Sequence, residues 1–330
     1  MEPLRVGFIG AGIFSTWAIY PALHLVPIEL RAVCDIDEDK AKWAAGRFGG
    51  TGRWYTNYHQ MWKQEDLEAV IIWMRPGPRQ ALVREALEAG YHVLVPKPPA
   101  LSLDDSLELA EASRRTGRKL MVDFHRRFSF GINRAREIMA QPSFGQLTQL
   151  FCSYCSGKYD AVRGVGYQGP IHAYLLDFAI HHIDLARYLG GETRQAAVFY
   201  NERDDGGAFS VALQFVNGAV GTLQLSSQRV WWRNYDRIEI TGQGEYIIVD
   251  GLWGLRHYTK DQNTFSENYS DQRSTELGGD GDALTEFITA IRENREPIAN
   301  IQDCVKTMRL YQAMYDAYLA GRDGVITLNV

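Results

Sequence analysis

A short apolar run, Leu4–Ile9, opens directly into Gly10-Ala11-Gly12-Ile13-Phe14-Ser15, and a helical pattern follows. A strand that hands over to a helix through two glycines restricts a chain severely, because few folds need a backbone turn that tight at that junction. The alternation then continues. Strand patterns at Ile28–Cys34, Ala69–Met74, His92–Val95 and Lys119–Asp123 are separated by helical patterns at Asp37–Phe48, Arg79–Ala89 and Ser102–Thr116. The first helical pattern, Ser15–Leu25, is interrupted by Pro21. Asp37 and Ser102 stand where N-caps belong, and Gly90 stops the third helix. Strands alternating with helices predict a parallel sheet with crossover helices.

After about residue 123 the texture changes. A helix at Gly131–Ala140 leads into a strand at Leu147–Tyr154, and a helix at Leu175–Leu189 ends at Gly190-Gly191. Strand patterns then cluster near 196–200, 208–216, 219–226, 235–241 and 245–250, with Asn217-Gly218 as a hairpin turn. Helices at 282–293 and 301–320 and an apolar tail close the chain. The expectation is an N-terminal α/β Rossmann domain over 1–122. An α+β domain over 123–330 follows, with an open, mostly antiparallel sheet, and the 301–320 helix is able to pack back on the first domain. The 330 residues, at about 150 per domain, agree with two domains.

Composition narrows the class. With 45% hydrophobic and 23% charged residues the chain is neither disordered nor fibrous. No apolar run approaches the roughly 18–20 residues of a bilayer span, and Met1-Glu2-Pro3 lacks the basic start of a signal peptide. A cytoplasmic enzyme is expected. A net charge of −5 argues against nucleic acid or an anionic membrane surface as a partner. Cys34, Cys152, Cys155 and Cys304 are too scattered for a disulfide framework, and strand alternation sends Cys152 and Cys155 to opposite faces. Buried or half-buried free thiols are expected, and no metal.

The glycine turn has a physical reading. Gly10 permits the turn, Gly12 admits a pyrophosphate close to the backbone, and Ser15 is small enough for close helix–strand packing. Ile13 and Phe14 lie on the same turn, at a helix N-terminus that favours negative charge. Asp35 ends the second strand, where a carboxylate binds ribose hydroxyls and repels a 2′-phosphate. Ile36-Asp37-Glu38 offers no arginine to welcome one, so NAD is expected in preference to NADP.

Two further stretches carry chemistry. Lys97 sits among Pro96, Pro98 and Pro99, which places an ammonium on stiff backbone at the carboxyl end of a strand. Asp177 and His181 are four residues apart on one helix face, with Asp184 on nearly the same face. An aspartate beside a histidine fixes its tautomer and raises its basicity, as a general base requires. The same spacing also suits an ordinary polar helix face, and it lacks the further ligands of a metal site.

These residues together resemble the Gfo/Idh/MocA family, the oxidoreductases related to glucose–fructose oxidoreductase and inositol dehydrogenase. The likeness rests on Gly10–Ser15, Ala89–Pro98, His125-Arg126-Arg127-Phe128 and Asp177–Asp184 running into Leu185–Gly190, and it covers nearly the whole chain. It implies a Rossmann domain followed by a domain whose open sheet forms homodimers or homotetramers. The family's E-K-P lysine maps onto Lys97, and its D-x-x-x-H-x-x-D motif onto Asp177, His181 and Asp184. The implied reaction is hydride transfer between a nicotinamide and a secondary hydroxyl of a sugar, cyclitol or sugar derivative. His181 takes the hydroxyl proton, Lys97 stabilises the alkoxide and Asp177 orients His181. His125 and Arg126 match a stretch that meets substrate in similar enzymes. Lys158 and Tyr159, with Arg163, are further substrate candidates, and Trp231-Trp232-Arg233 suits either a sugar ring or a subunit contact. With Lys97 in the first half and His181 in the second, the active site is expected in the cleft between domains.

The chain also departs from the pattern. Pro96 replaces the glutamate that usually precedes the lysine, and Pro96 with Lys97 flanks the cofactor side. Ala179 stands where glycine is common, and Trp73-Met74-Arg75-Pro76 replaces a more usual T-P sequence. Two other readings remain open: an NAD-dependent glycosidase that works by transient oxidation and elimination, and a non-enzymatic dinucleotide-binding regulator.

Overall fold

The computed structural model describes residues 2–156, 166–203, 206–228, 235–251, 253–261, 263–268, 278–321 and 324–327. The chain divides into two compact units, Met1–His125 with Ser274–Val305, and Arg126–Arg273 with Lys306–Val330.

The first unit is built on a six-stranded sheet: β1 (Leu4–Ile9), β2 (Ile28–Cys34), β3 (Trp54–Tyr55), β4 (Ala69–Ile72), β5 (His92–Pro96) and β6 (Leu120–Asp123). The strand order is β3-β2-β1-β4-β5-β6, with every pairing parallel. Strands covered on both faces read as continuous apolar runs, and all four residues of β4 are buried, as are Leu4, Val6, Phe8 and Ile9 of β1. The order reverses between β1 and β4, and ligands of such sheets bind beyond the strands' carboxyl ends at that point.

Local signals behave as their chemistry demands. The Asp37 and Ser102 side chains accept from Lys40 N (3.2 Å) and Asp105 N (3.0 Å), capping helices Glu38–Phe48 and Leu103–Thr116. The helix expected from Arg79 starts at Pro76, since proline's fixed φ and missing N–H suit a first turn. The expected helix Ser15–Leu25 is instead a π-turn (Ser15–Ile19), an α-turn (Tyr20–Ala22) with Pro21 at its start, and a 3-10 turn (Leu23–Leu25). Strand β3 and the helix Tyr58–Gln64 carry too few residues for a periodic signal, so the sequence does not announce them. Ser274–Val305 joins this unit through long-range contacts. Arg292 Nη1 donates to Glu68 Oε1 at 2.6 Å, and Val122 N donates to Ala299 O at 2.9 Å.

The second unit carries a nine-stranded sheet. Its strands are β7 (Leu147–Cys155), β8 (Thr193–Arg203), β9 (Gly206–Phe215), β10 (Val220–Ser226), β11 (Tyr235–Gly242), β12 (Tyr246–Asp250), β13 (Gly254–Tyr258), β14 (Thr264–Asn268) and β15 (Gly324–Thr327). They run in the order β14-β13-β12-β11-β7-β10-β9-β8-β15, antiparallel except for the β7–β10 pair. The expected hairpin at Asn217-Gly218 forms, with Gly218 at φ +90. Along β9, Phe209, Val211, Leu213 and Phe215 are buried while Ser210, Ala212 and Gln214 face solvent. The helix Ile180–Gly190 packs against β7 and β10, and an added Cβ at Gly190 would lie 2.2 Å from the Phe215 ring. The helix expected over Leu175–Leu189 begins as a π-segment, Tyr174–Ala179, before becoming α-helical. Cys34, Cys152 and Cys304 are buried and Cys155 is half-buried, and none of the four is in a disulfide. Among the described residues no helix is long and apolar enough to cross a membrane.

Candidate active site

The glycine turn lies at the carboxyl end of β1. Gly10 adopts φ +106, and a Cβ there would stand 2.2 Å from Trp73 O, so the position needs glycine on two counts. A Cβ at Gly12 would meet nothing within 4 Å, which is the open approach a pyrophosphate requires. Ser15 Oγ donates to Gly10 O (3.1 Å) and Gly12 O (2.9 Å), pinning the turn from inside. Ile13 and Phe14 are exposed beside it, and Phe14 stacks on Trp73 at 6.4 Å between ring centroids. Asp35 is half-buried at the end of β2. Its Oδ2 accepts from Ala11 N at 2.6 Å and its Oδ1 from Asp37 N at 2.9 Å. The carboxylate is therefore aimed at the glycine turn, and each oxygen keeps a second lone pair for a ribose hydroxyl. These residues fit a dinucleotide.

Lys97 follows β5 on the same edge of the sheet and is half-buried, while Pro98 and Pro99 are buried. The loop has an anchor that the sequence reading missed. Arg79, 1% exposed, donates through Nη1 to Met74 O at 2.8 Å and through Nη2 to Pro98 O. One guanidinium thus ties the segment after β4 to the segment carrying Lys97. Only an arginine fork reaches two carbonyls this way. A basic residue early in a helix gives no such hint, because its partners are not local.

In the second unit, Asp177 lies in the π-segment and is half-buried, and His181 follows in the α-helix at 6% exposure. π-Turns are concentrated at functional positions. The third residue of the motif has a different job. Asp184 is fully buried and takes a fork from Arg127, with Nε to Oδ2 at 2.6 Å and Nη2 to Oδ1, while Thr307 Oγ1 donates to Oδ1 at 2.8 Å. It is a structural anchor.

Arg126, a substrate candidate, is buried and donates through Nη1 to Asp236 Oδ1 at 2.6 Å. His182 is wholly buried, stacked on Tyr154 at 4.5 Å, with Nε2 3.0 Å from the same oxygen. Burial raises the Asp236 carboxyl, but Arg126 and then His182 more than offset it and hold it below the usual carboxylate range. Burial keeps His182 below the ordinary histidine value. This network went unread because Asp236 is remote in sequence. His125 belongs to the first unit, half-buried, with Nδ1 3.8 Å from Asp123 Oδ2. Lys97 belongs to the first unit, and Asp177 and His181 to the second. Lys158, Tyr159, Arg163 and Trp231-Trp232-Arg233 lie outside the described residues.

Residues 4–124 match the oxidoreductase family with an NAD-binding Rossmann fold, GFO_IDH_MocA, and residues 132–248 match the GFO/IDH/MocA C-terminal domain. The chain belongs to the Gfo/Idh/MocA oxidoreductase family. Its cofactor is accordingly NAD, held on the first unit. Among its relatives is a myo-inositol 2-dehydrogenase of Thermotoga maritima, 26% identical over 76% of each chain. A dehydrogenase of Chromobacterium violaceum has the same fold, with a TM-score of 0.90 at 23% identity over 97% of each chain. Levoglucosan dehydrogenase, solved with NADH and levoglucosan, gives a TM-score of 0.85 at 19% identity, covering 99% of this chain and all of that one.

Proposed function

We propose that this Gfo/Idh/MocA protein is an NAD-preferring dehydrogenase acting on a secondary hydroxyl of a sugar, cyclitol or sugar derivative. The observation that carries the reading is Lys97 on an anchored loop, at the same sheet edge as the glycine turn and Asp35. The retention of Asp177 and His181 in a π-to-α helix supports it. So do the inositol- and levoglucosan-oxidising relatives.

Gly10, Gly12, Ile13, Phe14 and Ser15 would hold the dinucleotide's phosphates at a helix N-terminus, with Pro96 and Lys97 flanking it. The Asp35 carboxylate would take the ribose hydroxyls and exclude a 2′-phosphate. Bound NAD supplies the hydride acceptor for a carbinol carbon. His181 accepts the proton from the substrate hydroxyl, and Asp177 holds its imidazole in the tautomer that can do so. Lys97 places its ammonium against the oxygen as negative charge develops there, an electrostatic contribution that grows toward the transition state. Arg126, paired with Asp236, would act on substrate only through the position of neighbouring groups. The exposed face of the nine-stranded sheet, with Phe199 55% and Val220 49% accessible, is assigned to contact between copies of the chain.

The test is NADH formation over a panel of polyols, aldoses and cyclitols, with Lys97→Met and His181→Ala beside the parent. Each substitution is expected to lower kcat by about 100-fold or more while the thermal shift produced by NAD persists. Turnover within about threefold of the parent would remove both residues from the mechanism. Aglycone release without net NADH would replace the reading with redox-assisted elimination.

A further inference from the structure

Three side chains far apart in sequence meet at one end of the first unit's sheet. Asp123 is the last residue of β6, in register with Pro96 of β5. His125 stands two residues on, in the 3-10 turn His125–Phe128. Asp280 opens the helix Asp280–Arg292, after Gly279 in the left-handed region at φ +99. One imidazole nitrogen and one oxygen from each carboxylate lie within 4.8 Å of one another.

We propose that Asp123, His125 and Asp280 bind a divalent transition-metal ion of the Zn2+ or Mn2+ class, with water completing its coordination. An ion about 2.0–2.2 Å from each donor needs donors about 3–4 Å apart, and the His125 Nδ1 to Asp123 Oδ2 separation is already 3.8 Å. The remaining contraction is within side-chain rotation. One imidazole with two carboxylates is the donor set that borderline divalent ions favour over Ca2+.

The burial of these groups agrees with such an occupant. Asp123 is 3% exposed, with Asp280, Lys97 and His125 as its charged or titratable neighbours. Burial, then Asp280, drive its carboxyl far above the usual range, and the Lys97 ammonium opposes them. Burial alone lifts Asp280 to about 7. Burial disfavours the charged form of both carboxyls, and the Lys97 ammonium opposes this only at Asp123. A buried carboxylate is costly unless a donor, a cation or a proton relieves it. His125 argues for the cation, because one of its ring nitrogens lies at the same point as the two carboxyl oxygens. The ion would fasten the end of β6 to the first turn of the helix from Asp280, beside the loop that carries Lys97. The assignment does not depend on the roles given above to Lys97 and His181.

The experiment uses the full chain, stripped with a chelator and titrated with Zn2+ by calorimetry at pH 7.5, with Mn2+ paramagnetic resonance as a second probe. Expected are one ion per chain, a raised melting temperature, and a loss of affinity of tenfold or more in both His125→Ala and Asp280→Asn. These two half-buried positions are chosen because Asp123→Asn risks the fold. Equal affinity in parent and variants would show binding elsewhere and overturn the site. Absence of stoichiometric binding would overturn it too. A protonated carboxyl band in the infrared near neutral pH, lost in Asp280→Asn, would then identify a shared proton as the occupant.

Discussion

At the residue scale, the most instructive side chain is Asp184. By spacing it extends the Asp177–His181 pattern and reads as part of the chemical set. Its surroundings make it the partner of Arg127, with both side chains essentially inaccessible, at 1% and 0%. A buried pair of this kind contributes little over an apolar substitute, yet removing one member strands the other charge. Asp184→Asn is therefore expected to cost about 3–5 kcal/mol in urea unfolding, with the larger effect on folding rather than on KM. A cost below about 1 kcal/mol would mean that Arg127 finds another acceptor. Arg79 teaches the same lesson. Nothing in Arg75-Pro76-Gly77-Pro78-Arg79 reveals that its guanidinium spans two carbonyls, one of them beside Lys97.

At the element scale, the strand–turn–helix of β1 was legible because each of its requirements is local. Gly10 needs a positive φ and a close approach to Trp73 O, and both follow from the turn. Gly10→Ala is expected to abolish the thermal shift produced by NAD and to lower the melting temperature of the apo chain by several degrees. An unchanged NAD response would show that the turn relaxes without cost. Caps at Asp37 and Ser102 and the Asn217-Gly218 hairpin were legible for the same reason, since a side chain reaching a backbone group two or three residues away is written in adjacent letters. The π-segments were not. Their sequences satisfy an α-helical pattern equally well, and the extra residue per turn is set by what the helix packs against.

At the scale of the whole molecule, folding stability is linked to pH through His92, at the start of β5. Lys119 N donates to its Nδ1 at 3.0 Å. Burial, then Arg118 and Lys119, bring its pKa down to about 4. An unfolded histidine titrates near about 6.5, so between these values the unfolded chain binds the extra proton. The contribution of neutral His92 is thus complete above pH of about 6.5 and is lost as pH falls toward 4. Calorimetry should show the first unit's transition falling over that window, and His92→Asn, which keeps an acceptor for Lys119 N, should flatten the slope. Identical slopes in parent and variant would place the acid sensitivity elsewhere.

Alternating strands and helices, the glycine turn, Asp35 at the end of β2 and a lysine held between prolines were determined by the sequence alone. Each expresses periodicity or backbone stereochemistry over a few neighbouring residues, which survives without knowledge of the fold. Only the tertiary structure decided that Ser274–Val305 completes the first unit, that Asp184 belongs to Arg127 and Arg126 to Asp236, and that Asp123 lies beside Asp280. Those outcomes depend on which charges are buried together, and burial brings together residues from opposite ends of the chain.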